Sequence, residues 1–417
     1  MRRWLALALL AAASPSPAAP PAPAPAPAAA RGETVERVVL LMRHGVRPST
    51  KFPATPAGTT AQAWPAWSTP AGDLTPHGAA AIGRLGAYDR ALWVRQGLLP
   101  ASGCAPAAIS ARASGASRAI RTGRAFLAAL TPGCAVPLDH PASEDEDATF
   151  HPADAGLAID GDTARAAALR QAPAGGIAAE AVANADAFRV LEHVTGCCPG
   201  KACGRGASAC TAADRVSHLV AVPGDKPDLK GALSFASTAG QTILLQYLEA
   251  MPMAQVGWGR ASAADIRTML RFHPIKFRYE TRPPYVAQRL AAPLARRIVD
   301  ALAGRSGRIT LLFGHDTNLA ALGGFYDLHW TMADYPRDDI APGGALGFEL
   351  VRGADGARYV RAFSQAQTMA QVRALTPLTR GVAPHRAAVA IPGCPARCPL
   401  ASFVALTEAR LRQPVAR

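Results

Sequence analysis

Beyond residue 13 the chain has no apolar run near the roughly 20 residues a membrane-spanning helix requires. That leaves no candidate for a spanning helix in the rest of the sequence. Aromatic residues make up only 6% of the chain, and no basic run is interleaved with them. Single-stranded nucleic-acid sites need such stacking platforms beside their cations, so nucleic acid is not an expected partner. No internal repeat is visible, which removes solenoids and propellers. Cysteine is sparse, and Cys197-Cys198-x4-Cys203-x6-Cys210 lacks the paired C-x2-C hooks of a zinc site; no metal is expected.

What is present begins with Met1-Arg2-Arg3 and the short apolar run Trp4 to Ala13. A charged start followed by a run this short reads as a secretory signal peptide. The Pro-Ala tract from Ser14 to Ala30 reads as an extended tether or part of the removed segment, so residues 1–30 are set outside the fold. The remainder suffices for one large domain or two packed ones. All eight cysteines lie in it, and an even number behind an export signal points to disulfides in an oxidising compartment, periplasmic or secreted. The formal charge of +14 is carried mainly by scattered arginines, which suits an anionic small molecule.

Val35 to Met42 is apolar and β-branched except for Glu36 and Arg37, and reads as a buried strand. It ends at Arg43-His44-Gly45. Ile309 to Phe313 repeats the arrangement and ends at Gly314-His315-Asp316, followed by a helix expected from Thr317 to Leu322 and stopped by Gly323-Gly324. Two strands ending in charged residues suggest an open α/β sheet, where ligands bind beyond the strands' carboxyl ends. Thr75 to Gly97 has helical spacing behind an N-cap and Pro76. Ala107 to Ala111 reads as a short strand and Ser114 to Leu130 as a helix. From His151 to Gly259 the chain is Ala-rich, helix-leaning and without a clear strand run. The expected division is 31–150 and 271–417 for the α/β part, with a mostly helical insertion over 151–270.

Arg43, His44 and Arg47 fall within five residues, followed by Thr50 and Lys51. Two guanidiniums so close repel unless an anion lies between them, and their planar forks match phosphate oxygens. A histidine between them would be kept neutral by like charge, the form that can attack phosphorus. Alone, Arg-His-Gly could equally be a surface loop. Gly314-His315-Asp316-Thr317-Asn318 adds a second histidine and a carboxylate that could protonate a leaving oxygen, although Asp316 could also cap the following helix.

Arg43-His44-Gly45-Val46-Arg47-Pro48 with a late His315-Asp316 resembles the histidine acid phosphatases, branch 2 of the histidine phosphatase superfamily. Ala63-Trp64-Pro65-Ala66-Trp67, Leu74-Thr75-Pro76, Gly257-Trp258-Gly259-Arg260 and Pro342-Gly343-Gly344 are similar to its bacterial periplasmic phytases and glucose-1-phosphatases. The likeness runs from about Glu33 to beyond Phe403. It implies a phosphoglycerate-mutase-like open mixed sheet flanked by helices, no cofactor, His44 as nucleophile, Asp316 as general acid, and Arg43, Arg47 and His315 as phosphate holders. Matching Arg121-Thr122-Gly123-Arg124-Ala125-Phe126 to the family places a further phosphate-binding arginine at Arg118, with Arg112 and Arg121 as competitors. The acidic residues usual just upstream are replaced by Ala116 and Ser117. The resemblance also pairs Cys104 with Cys134. Its bridge from the helical domain to the C-terminus has no cysteine here, since the chain ends Pro414-Val415-Ala416-Arg417. Cys394 and Cys398 could close a small tight loop, and Cys197, Cys198, Cys203 and Cys210 could pair among themselves in three ways.

The expected function is hydrolysis of phosphate monoesters through a phosphohistidine by a monomer that takes a small-molecule substrate. Thr50, Lys51 and Gln241 are possible substrate contacts, Gln241 standing where phytases of this group carry a glutamate. Phytate or a broad range of organic phosphates is the first reading and a sugar phosphate the alternative. A phosphomutase fits export and disulfides poorly, and a phosphate-binding module need not keep both His44 and Asp316.

Overall fold

The computed structural model describes residues 32–56, 58–199, 208–210 and 216–412. The leader and tether lie outside these residues. The first strand, β1 (Thr34–Arg43), is followed by α1 (Pro76–Arg95), β2 (Ile109–Ala113), α2 (Ser117–Leu130) and the two-residue β3 (Leu138–Asp139). Helices α3 (Gly161–Leu169), α4 (Gly176–Ala183) and α5 (Ala185–Thr195) come next. Two small ribbons follow, one of β4 (Cys197–Pro199) with β5 (Ser208–Cys210) and one of β6 (His218–Val220) with β7 (Asp228–Lys230). Helices α6 (Ala232–Leu248), α7 (Ala263–Met269), α8 (Phe272–Glu280) and α9 (Pro284–Leu302) lead back to β8 (Ile309–Gly314) and α10 (Asp316–Tyr326). The chain closes with β9 (Ala345–Arg352), β10 (Arg358–Ala366), α11 (Met369–Arg373), β11 (His385–Val389), β12 (Cys398–Pro399) and α12 (Leu400–Arg412).

The main sheet is mixed, in the order β11-β10-β9-β1-β8-β2-β3, with β12 added on β10. Strands β1, β8, β2 and β3 run parallel, while β9, β10 and β11 are antiparallel. The apolar run in β1 follows from its central place. Val39 and Leu41 pack into one hydrophobic cluster and Val38, Leu40 and Met42 into another, because successive side chains point to opposite faces. On one face lie Ile82, Leu85 and Trp93 of α1 with Phe126 and Leu130 of α2; on the other lie Leu294 and Ile298 of α9, Leu319 and Leu322 of α10, and Phe403 of α12. The cluster of Val39 and Leu41 continues into the helices after residue 151 through Leu191, Leu233 and Ile243.

Some expectations hold and others shift. Thr75 caps α1, its hydroxyl accepting from the Gly78 N–H at 2.8 Å. The strand expected at Ala107 starts at Ile109, after a 3-10 turn, and α2 starts at Ser117 rather than Ser114. Helix α10 runs through Gly323 and Gly324 to Tyr326 instead of stopping there. Both glycines answer to packing: a Cβ at Gly324 would lie 2.5 Å from the Arg282 carbonyl oxygen, and one at Gly323 would lie 2.7 Å from the Trp330 ring. Segment 151–259, read as free of strands, carries the two short ribbons. Cys104–Cys134 and Cys394–Cys398 are bridged, and Cys197 is disulfide-bonded; the pairing of Cys197, Cys198, Cys203 and Cys210 lies outside the described residues. No helix among the described residues is long and apolar enough to cross a membrane.

Candidate active site

Strand register assembles the site. Arg43 faces Gly314 across β1 and β8, and Ala113 faces Phe313 across β2 and β8, so three parallel strands end on one line. The residues just beyond are tied together, the His44 N–H donating to the Gly314 carbonyl at 2.9 Å and the Ser114 N–H to Phe313 at 2.8 Å. His44, Ser114 and His315 therefore become neighbours although they are far apart in sequence. Arg118 enters from the first turn of α2.

His44 is 1% exposed, and its Nδ1 donates to the Gly45 carbonyl at 2.9 Å. That assigns the lone pair to Nε2, which accepts from Arg47 Nε at 3.3 Å. Burial, then the guanidiniums of Arg47, Arg118 and Arg43, hold the imidazole well below its ordinary pKa. Arg47 is itself lowered to about 9, first by burial and then by Arg118 and Arg43. Three guanidiniums set close together in a buried site suit an anion between them.

Arg43 is fully buried. It donates to the Ile340 carbonyl and to Gln241 Oε1 at 3.1 Å, and its Nη2 lies 2.8 Å from Asp316 Oδ2. Asp316 is the first residue of α10, with His315 in the cap position, so it does not serve as the cap. Its Oδ1 accepts from the Thr317 N–H, and Oδ2 faces Arg43 and His273 Nε2 at 3.8 Å. Burial pushes this carboxyl up, but Arg43, His273, His44 and Arg47 outweigh burial and hold it well below the usual carboxylate range. His315 Nε2 lies 3.1 Å from Ser114 Oγ, and its Nδ1 accepts from Arg118 Nη2 at 3.3 Å. Burial and the Arg118 charge lower its pKa well below the ordinary value.

Of the sequence candidates, Arg43, His44, Arg47, Arg118, Gln241, His315 and Asp316 come together. Arg112 pairs with Asp139 and Arg121 with Asp73, away from the cluster. Thr50 and Lys51 are exposed, and neither hydrogen bonds to the cluster among the described residues. Sequence reasoning missed Ser114, Glu144, His151 and His273. Glu144 Oε1 lies 3.0 Å from Arg118 Nη2, and His273 Nδ1 lies 2.6 Å from the fully buried Asp339. His273 is one of several buried residues of α8, and Glu144 lies in the acidic stretch Glu144 to Asp147, which reads as solvated. Neither pattern marks a site.

The family model of the histidine phosphatase superfamily (branch 2) matches residues 34–365. Phytase AppA of Escherichia coli (strain K12) is 34% identical over 402 residues, covering 90% of this chain and 92% of its own. Glucose-1-phosphatase of Salmonella typhimurium is 29% identical, covering 89% and 91%. The structure of Hafnia alvei phytase in complex with myo-inositol hexakis sulphate superposes with a TM-score of 0.82 at 30% identity, covering 92% of this chain and 98% of that one.

Proposed function

Since the chain belongs to branch 2 of the histidine phosphatase superfamily and is a phosphomonoesterase, we propose that it works through a phosphohistidine on His44, with Asp316 as the proton carrier. The observation that carries this reading is the buried, neutral His44, its Nδ1 committed to a carbonyl and its Nε2 set among three guanidiniums. An entering phosphate would draw Arg47 off Nε2 and free the lone pair. Arg43, Arg47, Arg118 and His315 would hold the non-bridging oxygens, stabilising the charge that spreads over them in the transition state.

Nε2 attacks phosphorus, the phosphorus–oxygen ester bond breaks, and the leaving oxygen takes a proton from Asp316. Arg43 and the neighbouring charges favour the ionised form of Asp316, so that proton comes with the substrate. At acid pH a phosphate monoester enters as a monoanion carrying one proton, and its charge offsets the Arg43 field that keeps Asp316 ionised. Water then attacks the phosphohistidine while Asp316 accepts a water proton. The phosphorus–nitrogen bond breaks, returning neutral His44 and inorganic phosphate.

For substrate, the reading is phytate or a broad range of organic phosphates, with a sugar phosphate as the alternative. Support comes from the phytase and glucose-1-phosphatase relatives and from the concentration of arginines. We take residues 151–270 as a cap over the substrate side, through Gln241, and the enzyme as an exported monomer. Brief reaction with labelled p-nitrophenyl phosphate and an alkaline quench should trap label on His44. The His44→Ala protein should stay folded by circular dichroism, take no label and lose turnover; turnover retained in that protein overturns the assignment. Phosphate release from phytate, glucose-1-phosphate and p-nitrophenyl phosphate at about pH 4–5 then ranks the substrates.

A further inference from the structure

The phosphate pocket contains a carboxylate that the mechanism above does not use. Glu144 Oε1 lies 3.0 Å from Arg118 Nη2, 3.2 Å from His151 Nε2 and 3.5 Å from His315 Nε2. Its position is built into the loop that carries it. Asp147, fully buried, accepts from the Gly115 N–H at 3.2 Å through Oδ2 and from the Thr149 and Phe150 N–H groups at 3.2 and 3.1 Å through Oδ1. Asn318 Nδ2 donates to the Phe150 carbonyl at 2.7 Å. Gly115 makes the approach possible: a Cβ there would lie 2.3 Å from the Ser143 carbonyl oxygen. The segment from Ser143 to His151 is thus seated on the end of β2, with Glu144 and His151 both turned to the site.

Resting on the phosphatase reading above, we propose that Glu144 is a competing anion that hastens release of phosphate. It engages Arg118 Nη2, a donor that a phosphate oxygen would use. When phosphate binds, Arg118 turns to it, and Glu144 is left with His151, already 3.2 Å away. A negative charge held this close to the bound dianion raises the free energy of the product complex, and His151 limits that cost. Phosphate leaves more readily than it would from a pocket of uncompensated guanidiniums.

The test is calorimetric titration of inorganic phosphate into the wild type, Glu144→Gln, His151→Asn and the double variant at one fixed pH. Glu144→Gln should bind phosphate about 10- to 100-fold more tightly, the size expected for removing one charge a few ångströms away in a partly buried site. Its KM should fall, and kcat should fall as release becomes limiting. His151→Asn should bind phosphate more weakly than the wild type, and the double variant should match Glu144→Gln, because His151 acts through the carboxylate. Phosphate binding by Glu144→Gln that is unchanged or weaker, with thermal unfolding unaltered, would make Glu144 a strut for Arg118 and overturn the proposal. A wild type that hydrolyses no ester and binds no phosphate would overturn the phosphatase reading instead, which keeps the two failures apart.

Discussion

His44 and Asp316 show how far neighbours set the chemistry of single residues. In water an imidazole is half-protonated near pH 6.5 and a carboxyl near pH 4. In this pocket burial and three guanidiniums keep His44 neutral, while Arg43 keeps Asp316 ionised against burial. In the proposed mechanism the first effect favours attack, and the second leaves Asp316 to receive its proton with the substrate. The ester's own demand for a proton then becomes measurable. Asp316→Asn should slow alkyl phosphates, whose leaving groups need protonation, by about 100- to 10,000-fold, and p-nitrophenyl phosphate far less. Equal losses on the two substrates in steady-state assays would remove Asp316 from the role of leaving-group acid. These two residues were legible in the sequence because each follows an apolar strand; Glu144 and His273 were not, because only packing brings them in.

At the scale of elements, α1 and β10 share a buried contact that ties stability to pH. Asp89 of α1 is fully buried, and its two oxygens accept from Gln365 Nε2 of β10 at 3.1 and 3.0 Å. Burial raises its pKa to about 7, against the opposing influence of Arg386 and the Gln365 hydrogen bond. The folded state therefore holds a proton that the unfolded chain, with a pKa of about 3.9, has released. Its contribution is fully present below about pH 4 and is lost as pH rises to about 7, by up to about 1.4 kcal/mol per pH unit. Urea unfolding between these limits should show that fall, and Asp89→Asn should flatten it. Helix α10 carries a second lesson at this scale. Its two glycines read as a stop in the sequence, yet the helix passes through them, because Arg282 and Trp330 leave no room for side chains at those positions.

For the whole molecule, the Cys104–Cys134 bridge joins the segment before β2 to the end of α2, the helix that carries Arg118. It closes a loop with a sequence separation of 30, so replacing both cysteines by serine should cost about 3–4 kcal/mol of stability, measured by denaturant unfolding. By itself the sequence determined the family and its phosphomonoesterase activity, and it singled out the groups we propose for the reaction. Arg43, His44, Arg47, His315 and Asp316 are contiguous in two short stretches, each placed by a strand whose apolar run is read directly. Local patterns of that kind survive in one dimension because strand burial and loop chemistry depend on near neighbours. Only the tertiary structure decided that Arg118 rather than Arg112 or Arg121 joins His315, and that Glu144 and His273 stand beside Arg118 and Asp316. Those outcomes depend on the registers of β1, β8 and β2 and on how closely the loop at Ser143 can approach Gly115. Each is a contact between segments far apart in the chain, and no local spacing encodes it.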